Sequence, residues 1–197
     1  AVLETLRQPI ETGEVVVSRA NAHVRYPCRF LLIAAANPCK CGYLFDPARA
    51  CARVPMCGED YLGRISGPLM DRFDIRIDVP PVSLSDLDLP AGGTSSAEVS
   101  QNVAIARAIQ AERFANVTTM HLNADAEGTV LEEIAAPDEE GRSFLLKAAD
   151  KFGLTARGYH RILRVARTIA DLASSSAVRK PHIAEAVSFR VNGASGT

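Results

Sequence analysis

The sequence predicts two fold classes in series, an α/β domain and then an all-α domain, and three observations carry that reading. Two unbroken runs rich in apolar residues, Phe30 to Ala36 (FLLIAAA) and Phe73 to Val79 (FDIRIDV), have the pattern of parallel strands covered on both faces. A Pro-, Gly- and Ser-rich stretch over 81–96 reads as a linker. Beyond it, apolar residues recur at helical spacing almost to the end of the chain. The predicted division is therefore an α/β part over 1–80, a linker over 81–96, a helical domain over 97–190 and a disordered tail over 191–197.

The elements follow in order. Residues 1–8 fit a short helix closed by Pro9 and Gly13. Glu14 to Tyr26 alternates as a hairpin with its tip at Ala20–Asn21. Arg19, His23 and Arg25 share one parity in the sequence, which predicts one basic face; the same residues also suit an ordinary solvated hairpin. The first buried strand stops at Asn37–Pro38, and a Cys-rich loop fills 39–58. A helix is expected over about 59–72, then the second strand. Past the linker, helices are predicted at about 97–114, 128–136, 140–152, 155–174 and 180–190, with Ser95 or Ser96 and Glu98 as the N-cap region of the first.

Length and composition remove several classes. The 197 residues are 47% apolar, enough for a real core. No run of 18 apolar residues exists, so no membrane-spanning helix is expected. The start, AVLETLRQPIETGE, lacks both an initiator Met and a signal-peptide pattern, which leads us to expect a cytoplasmic chain and an excised piece of a longer one. Five Cys without a secretion signal point to reduced thiols. The net charge of −1 hides a near-neutral segment to residue 80, an acidic one over 81–153 and a basic one from residue 154 onward. Arg outnumbers Lys 18 to 4, which suits bidentate phosphate contacts but also follows from GC-rich coding.

Nucleotide-binding signatures are missing. A phosphate loop needs Gly-x-x-x-x-Gly-Lys-Ser/Thr, and none of Lys40, Lys147, Lys151 or Lys180 follows a Gly. No apolar strand ends in Asp-Glu to hold magnesium. Alone, the chain is expected to be inactive as an ATPase. What it does hold is the complement of such a site: a polar amide, Asn37, at the carboxyl end of a buried strand; Arg72 just before a second strand; and Arg157 at the start of a late helix.

The stretches LRQPIETGEVVVSRANAHVRYPCRFLLIAAANPCKCGY, ISGPLMDRFDIRIDVP, ARGYHRILRVARTIADLA and HIAEAVSFR together resemble the magnesium-chelatase-like AAA+ proteins of the ComM/YifB type. These are DNA-transformation helicases related to chelatase subunit I. The resemblance covers most of the chain and keeps the family's order. It implies the back half of an AAA+ (P-loop NTPase) α/β domain followed by a helical lid, with the phosphate loop and the magnesium-binding acidic motif upstream of Ala1. It implies Asn37 as sensor 1, Arg72 as the arginine finger, Arg157 as the sensor 2 arginine and 14–26 as the pre-sensor-1 pore hairpin facing DNA. It further implies ATP and Mg as cofactors of the full-length protein, a homo-hexameric ring, and DNA as partner.

Each role has a plainer alternative. Asn37 suits a strand-end turn, and Arg72 suits a surface pair with Asp71 or Asp74. In the helix over 155–174, Tyr159, Ile162, Leu163, Ala166, Ile169, Ala170 and Ala173 share one face. Arg157, Arg161 and Arg164 line the opposite face, read as a subunit- or phosphate-facing edge, with Arg161 a cofactor contact and Arg167 to one side. Cys39, Cys41, Cys51 and Cys57 lie within 19 residues and are read either as a zinc site or as free thiols; their spacing departs from the family's usual second C-x-C pair. A chelatase-type subunit driving metal insertion and a non-catalytic zinc-containing interaction module stand as alternatives to the helicase.

Overall fold

The computed structural model describes residues 2–46, 48–82, 88 and 92–191. Part of the predicted linker and residues 192–197 of the predicted tail lie outside the described residues. The chain divides into two compact units, one ending at Phe73 and the other starting at Asp74, upstream of the predicted linker.

The first unit opens with a 3-10 turn, Val2–Leu6, running into α1, Arg7–Thr12. The helix passes through Pro9, where the sequence predicted a stop. Pro9 is the third residue of α1, in the first turn, where an N–H has no intrahelical acceptor to lose. Gly13 closes α1 in the left-handed region at φ 67°, its N–H bonded to the Pro9 carbonyl at 2.9 Å. The hairpin forms as read: β1 (Glu14–Arg19) pairs antiparallel with β2 (Ala22–Pro27) around Ala20–Asn21.

The register corrects the predicted basic face. Ser18 stands opposite His23, Val16 opposite Arg25 and Arg19 opposite Ala22. Residues directly opposite share a face, so a two-residue turn joins odd positions of β1 to even positions of β2. Arg19 thus lies with Val15, Val17, Val24 and Tyr26 on one face. His23 and Arg25 lie on the other with Glu14, Val16 and Ser18.

The two predicted parallel strands do not form. Residues 30–36 and 73–79 have no strand partner among the described residues, and Leu31 and Ile33 are more than 80% exposed. A central parallel strand needs a hydrogen-bonded neighbour and covering helices. The described residues supply neither, and their one sheet is the hairpin. The helix expected over 59–72 is two short ones, α2 (Met56–Leu62) and α3 (Gly67–Met70). The break falls at Gly63 and at Ser66, whose hydroxyl caps the Leu69 N–H, with Pro68 following in the first turn.

The second unit matches the predicted helices to within two residues at every end: α4 (Ser96–Arg113), α5 (Gly128–Ile134), α6 (Glu139–Phe152), α7 (Ala156–Leu172) and α8 (Lys180–Val191). Ser95 and Glu98 form a reciprocal capping box on α4. Asp138 caps α6 through the Gly141 N–H, and Gly153 ends it at φ 58°. The core gathers on α7, where Ile162, Leu163, Ala166 and Ala170 meet Leu131, Leu145, Ile183 and Val187. Ala173, read as part of that face, is exposed.

The buried side of α7 also holds charge. Arg167, 2% exposed, bonds Asp171 Oδ1 at 3.1 Å and the carbonyls of Ser175 and Ser176 at 2.5 and 2.9 Å. Arg113 grips both Asp171 oxygens at 2.7 and 2.6 Å, and Asn123 donates to the same carboxylate at 2.8 Å. Burial alone would raise the Asp171 pKa, but the bonds from Arg113 and Asn123 and the Arg167 charge hold it below the usual carboxylate value. Two cations on one fully bonded carboxylate keep the site ionised inside an apolar core.

Candidate functional site

The cysteine loop brings its thiols together. Sγ of Cys39, Cys41 and Cys57 all lie within 4.8 Å of one another, with Cys39 and Cys41 3.0 Å apart. Cys51, the fourth predicted ligand, stands outside that group of three, near enough to perturb the Cys41 and Cys57 thiols. Bonding to Cys39, then to the Tyr43 backbone, draws Cys41 down to about 7; bonding to Cys51 and burial push Cys57 up to about 12. Tetrahedral zinc–thiolate geometry requires sulfurs about 3.8 Å apart, so Cys39, Cys41 and Cys57 fit a metal ion with shifts of about 1 Å or less. Gly58 permits the fold of the loop here, since a Cβ at that position would stand 2.8 Å from Leu44 Cδ2 and 3.3 Å from the Pro38 carbonyl. Cys28 lies outside this cluster, half-buried beside β2.

The other predicted residues fall in several environments. Asn37 is exposed at the end of the extended 30–36 run, with no strand behind it. Arg72 is only 12% exposed; it pairs with Glu11 and donates to the Pro68 carbonyl at 2.6 Å. Neither sequence reading of Arg72 included Glu11, which lies 61 residues away and carries no local signal.

In the second unit Arg157 is exposed on the first turn of α7, where the Thr155 hydroxyl caps the Gly158 N–H. Arg161 and Arg164, on the same predicted edge, are engaged within that unit. Arg161 bonds Asp74 Oδ1 at 2.6 Å, and Arg164 bonds the Ala126 carbonyl at 2.8 Å with Glu127 at 3.6 Å. Burial lowers the Arg164 pKa, with Glu127 opposing. The sequence view of three Arg without acids missed these partners because each comes from another segment.

The hairpin cations are exposed. His23 Nδ1 is 2.8 Å from the Ser18 hydroxyl, and Arg25 sits 3.9 Å from Glu14 while remaining 78% exposed. Arg19 borders the tip on the opposite face. Among the described residues, no helix is long and apolar enough to cross a membrane.

Two family models match in the order of the two units: "Magnesium chelatase, subunit ChlI" over residues 1–87, and "Magnesium chelatase, subunit ChlI C-terminal" over residues 93–190. The chain belongs to the magnesium-chelatase-like family. Its family membership implies an AAA+-like fold, of which the described chain shows the hairpin, the short helices and the helical unit. Among relatives in this family, Competence protein ComM of Haemophilus influenzae is 40% identical over 96% of this chain and 36% of its own length. The YifB proteins of Escherichia coli and Salmonella typhimurium, both described as uncharacterized, are 38% and 36% identical over 95% of this chain and 36% of their own. The chain thus spans little more than a third of these curated relatives.

Proposed function

We propose that this chain is the distal part of the ATPase module of a ring-forming AAA+ DNA helicase or translocase acting in DNA uptake and recombination. The observation that carries the reading is the exposed β1–β2 ribbon, with Arg19 beside its tip and His23 and Arg25 on its other face, in a chain 40% identical to Competence protein ComM. Cations on both faces of a ribbon without aromatic stacking at its tip suit backbone contact and no base readout. The ATP phosphates and Mg would be held by motifs outside this chain, so the chain alone turns over no ATP. Asn37 orients the attacking water, Arg72 leaves Glu11 to reach the nucleotide of a neighbouring subunit in a hexamer, and Arg157 meets the γ-phosphate. Such groups act by stabilising charge that builds on the transferring phosphoryl. Zinc on Cys39, Cys41, Cys51 and Cys57 stiffens a loop that has little other core, and the protein works in the cytoplasm.

The test is binding of the full-length protein to single-stranded DNA across a salt series. Arg19→Ala with Arg25→Ala should weaken binding and lower the log–log salt slope by about 1.4, two phosphate contacts' worth. An unchanged slope would remove the ribbon from the DNA interface. The descriptions of the two family models support a second reading, a chelatase-type subunit driving metal insertion. Absence of DNA binding at low salt would favour it.

A further inference from the structure

The segment that follows Arg72 in sequence is fastened to the helix that carries Arg157. Asp74 Oδ1 accepts from Arg161 Nη1 at 2.6 Å. Two residues on, the Arg76 N–H donates to the Phe189 carbonyl at 2.9 Å and its Nη2 to the Arg190 carbonyl at 2.8 Å. These carbonyls belong to the last turn of α8, where helix acceptors lack intrahelical donors and a cation is favoured. Arg190, 95% buried, returns to α7: its guanidinium packs over Gly158 on the first turn, where an added Cβ would meet its Nη2 at an ordinary contact distance of 3.5 Å. Asp74 and Arg190 therefore meet the first two turns of α7, and Arg76 ties the same segment to the last turn of α8.

Arg157 and Arg161 are four residues apart on one face of α7, where like charges repel and both would reach toward one anion. Asp74 separates their roles. We propose that Asp74 is a positioning residue for nucleoside-triphosphate chemistry: it holds Arg161 as a structural counter-ion, so that the terminal phosphate meets Arg157 alone in a fixed place. The inference rests on the proposed ATPase function and assigns within it which cation is phosphate-facing. It also places Asp74, two residues after Arg72, as the point where the chain leaving the finger is tied to the sensor helix.

Steady-state ATPase kinetics of the full-length protein test it. Asp74→Asn releases Arg161 to compete for phosphate, and should lower kcat about tenfold while lowering KM for ATP, since a second cation binds the ground state without aiding the transition state. Adding Arg161→Gln to that variant should recover most of the kcat and return KM toward its original value. Asp74→Glu, which keeps the charge, should recover most of the lost kcat. A purely structural role predicts a lower kcat with no fall in KM and no recovery in the double variant, and that result overturns the proposal. So does an Asp74→Asn variant with both constants unchanged. If Asp74→Asn fails to assemble, the Asp74→Glu comparison decides: loss of activity equal to that of Asn overturns the role of the charge. A wild-type protein without ATPase activity would instead refute the proposed function itself.

Discussion

Replacing Arg167 by Met should cost this chain about 3–5 kcal/mol, a figure that follows from what the guanidinium touches. The substitution keeps the buried stem but withdraws short bonds from the Ser175 and Ser176 carbonyls and one from Asp171. A buried acceptor losing its donor costs about 1–3 kcal/mol, with the half-buried Ser175 and the exposed Ser176 at the low end of that range. Asp171 keeps the two-point grip of Arg113 and the Asn123 amide, so it escapes the full penalty of a stripped buried charge. Urea unfolding followed by far-UV circular dichroism measures the change. For a helical unit of this size the melting temperature should fall by at least about 12 °C with the urea m-value unchanged. Arg167→Lys should recover less than half, because one ammonium cannot serve carboxylate and two carbonyls in the planar arrangement. A loss below about 1 kcal/mol for Arg167→Met would refute the view that this network holds α7 to the loop before α8.

Other outcomes follow from the same geometry. Purified chain should carry about one zinc ion, with Cys57→Ser losing most of it by elemental analysis; thiols that all react at once with a thiol reagent, and no bound metal, would refute the site. Because the Asp171 pKa is lowered in the folded state, its contribution to stability is full above the unfolded value of about 3.9 and is lost as pH falls through the folded pKa. Asp171→Asn should therefore flatten the acid limb of a stability–pH curve, and an unchanged limb would place the acid sensitivity elsewhere. Gly58→Ala meets the flexible end of Leu44 at 2.8 Å and the Pro38 backbone at 3.3 Å, so it should cost about 1 kcal/mol and raise the reactivity of Cys57 toward a thiol reagent.

Much of the helical unit was legible because its information is local. Capping by Ser95 and Glu98 and the 3.6-residue rows of α7 need no distant partner, and they placed the helices closely. The hairpin tip was equally local, yet the face of Arg19 was misread, because parity along one strand does not carry across an even-length turn. The failures in the first unit have another cause. FLLIAAA has the composition of a central strand, but pairing is a property of two chains' edges, and the described residues hold only one. Among the candidate site residues, the thiol cluster was visible from spacing, whereas Glu11 for Arg72 and Asp74 for Arg161 were not. Both pairs join segments more than 60 residues apart, and charge alone does not select among the 23 acidic residues available.

The placement of ion pairs at both ends of α7 has a mechanical consequence. Seventeen helical residues span about 25 Å. Asp74 and Arg190 hold one end, and Asp171 with its two arginines holds the other. A rod pinned this way does not soak up a displacement by fraying; it passes it on. A tilt of about 5° at the Arg157 end arrives as a shift of about 2 Å beside Asp171, enough to change which carbonyls a rigid guanidinium can reach.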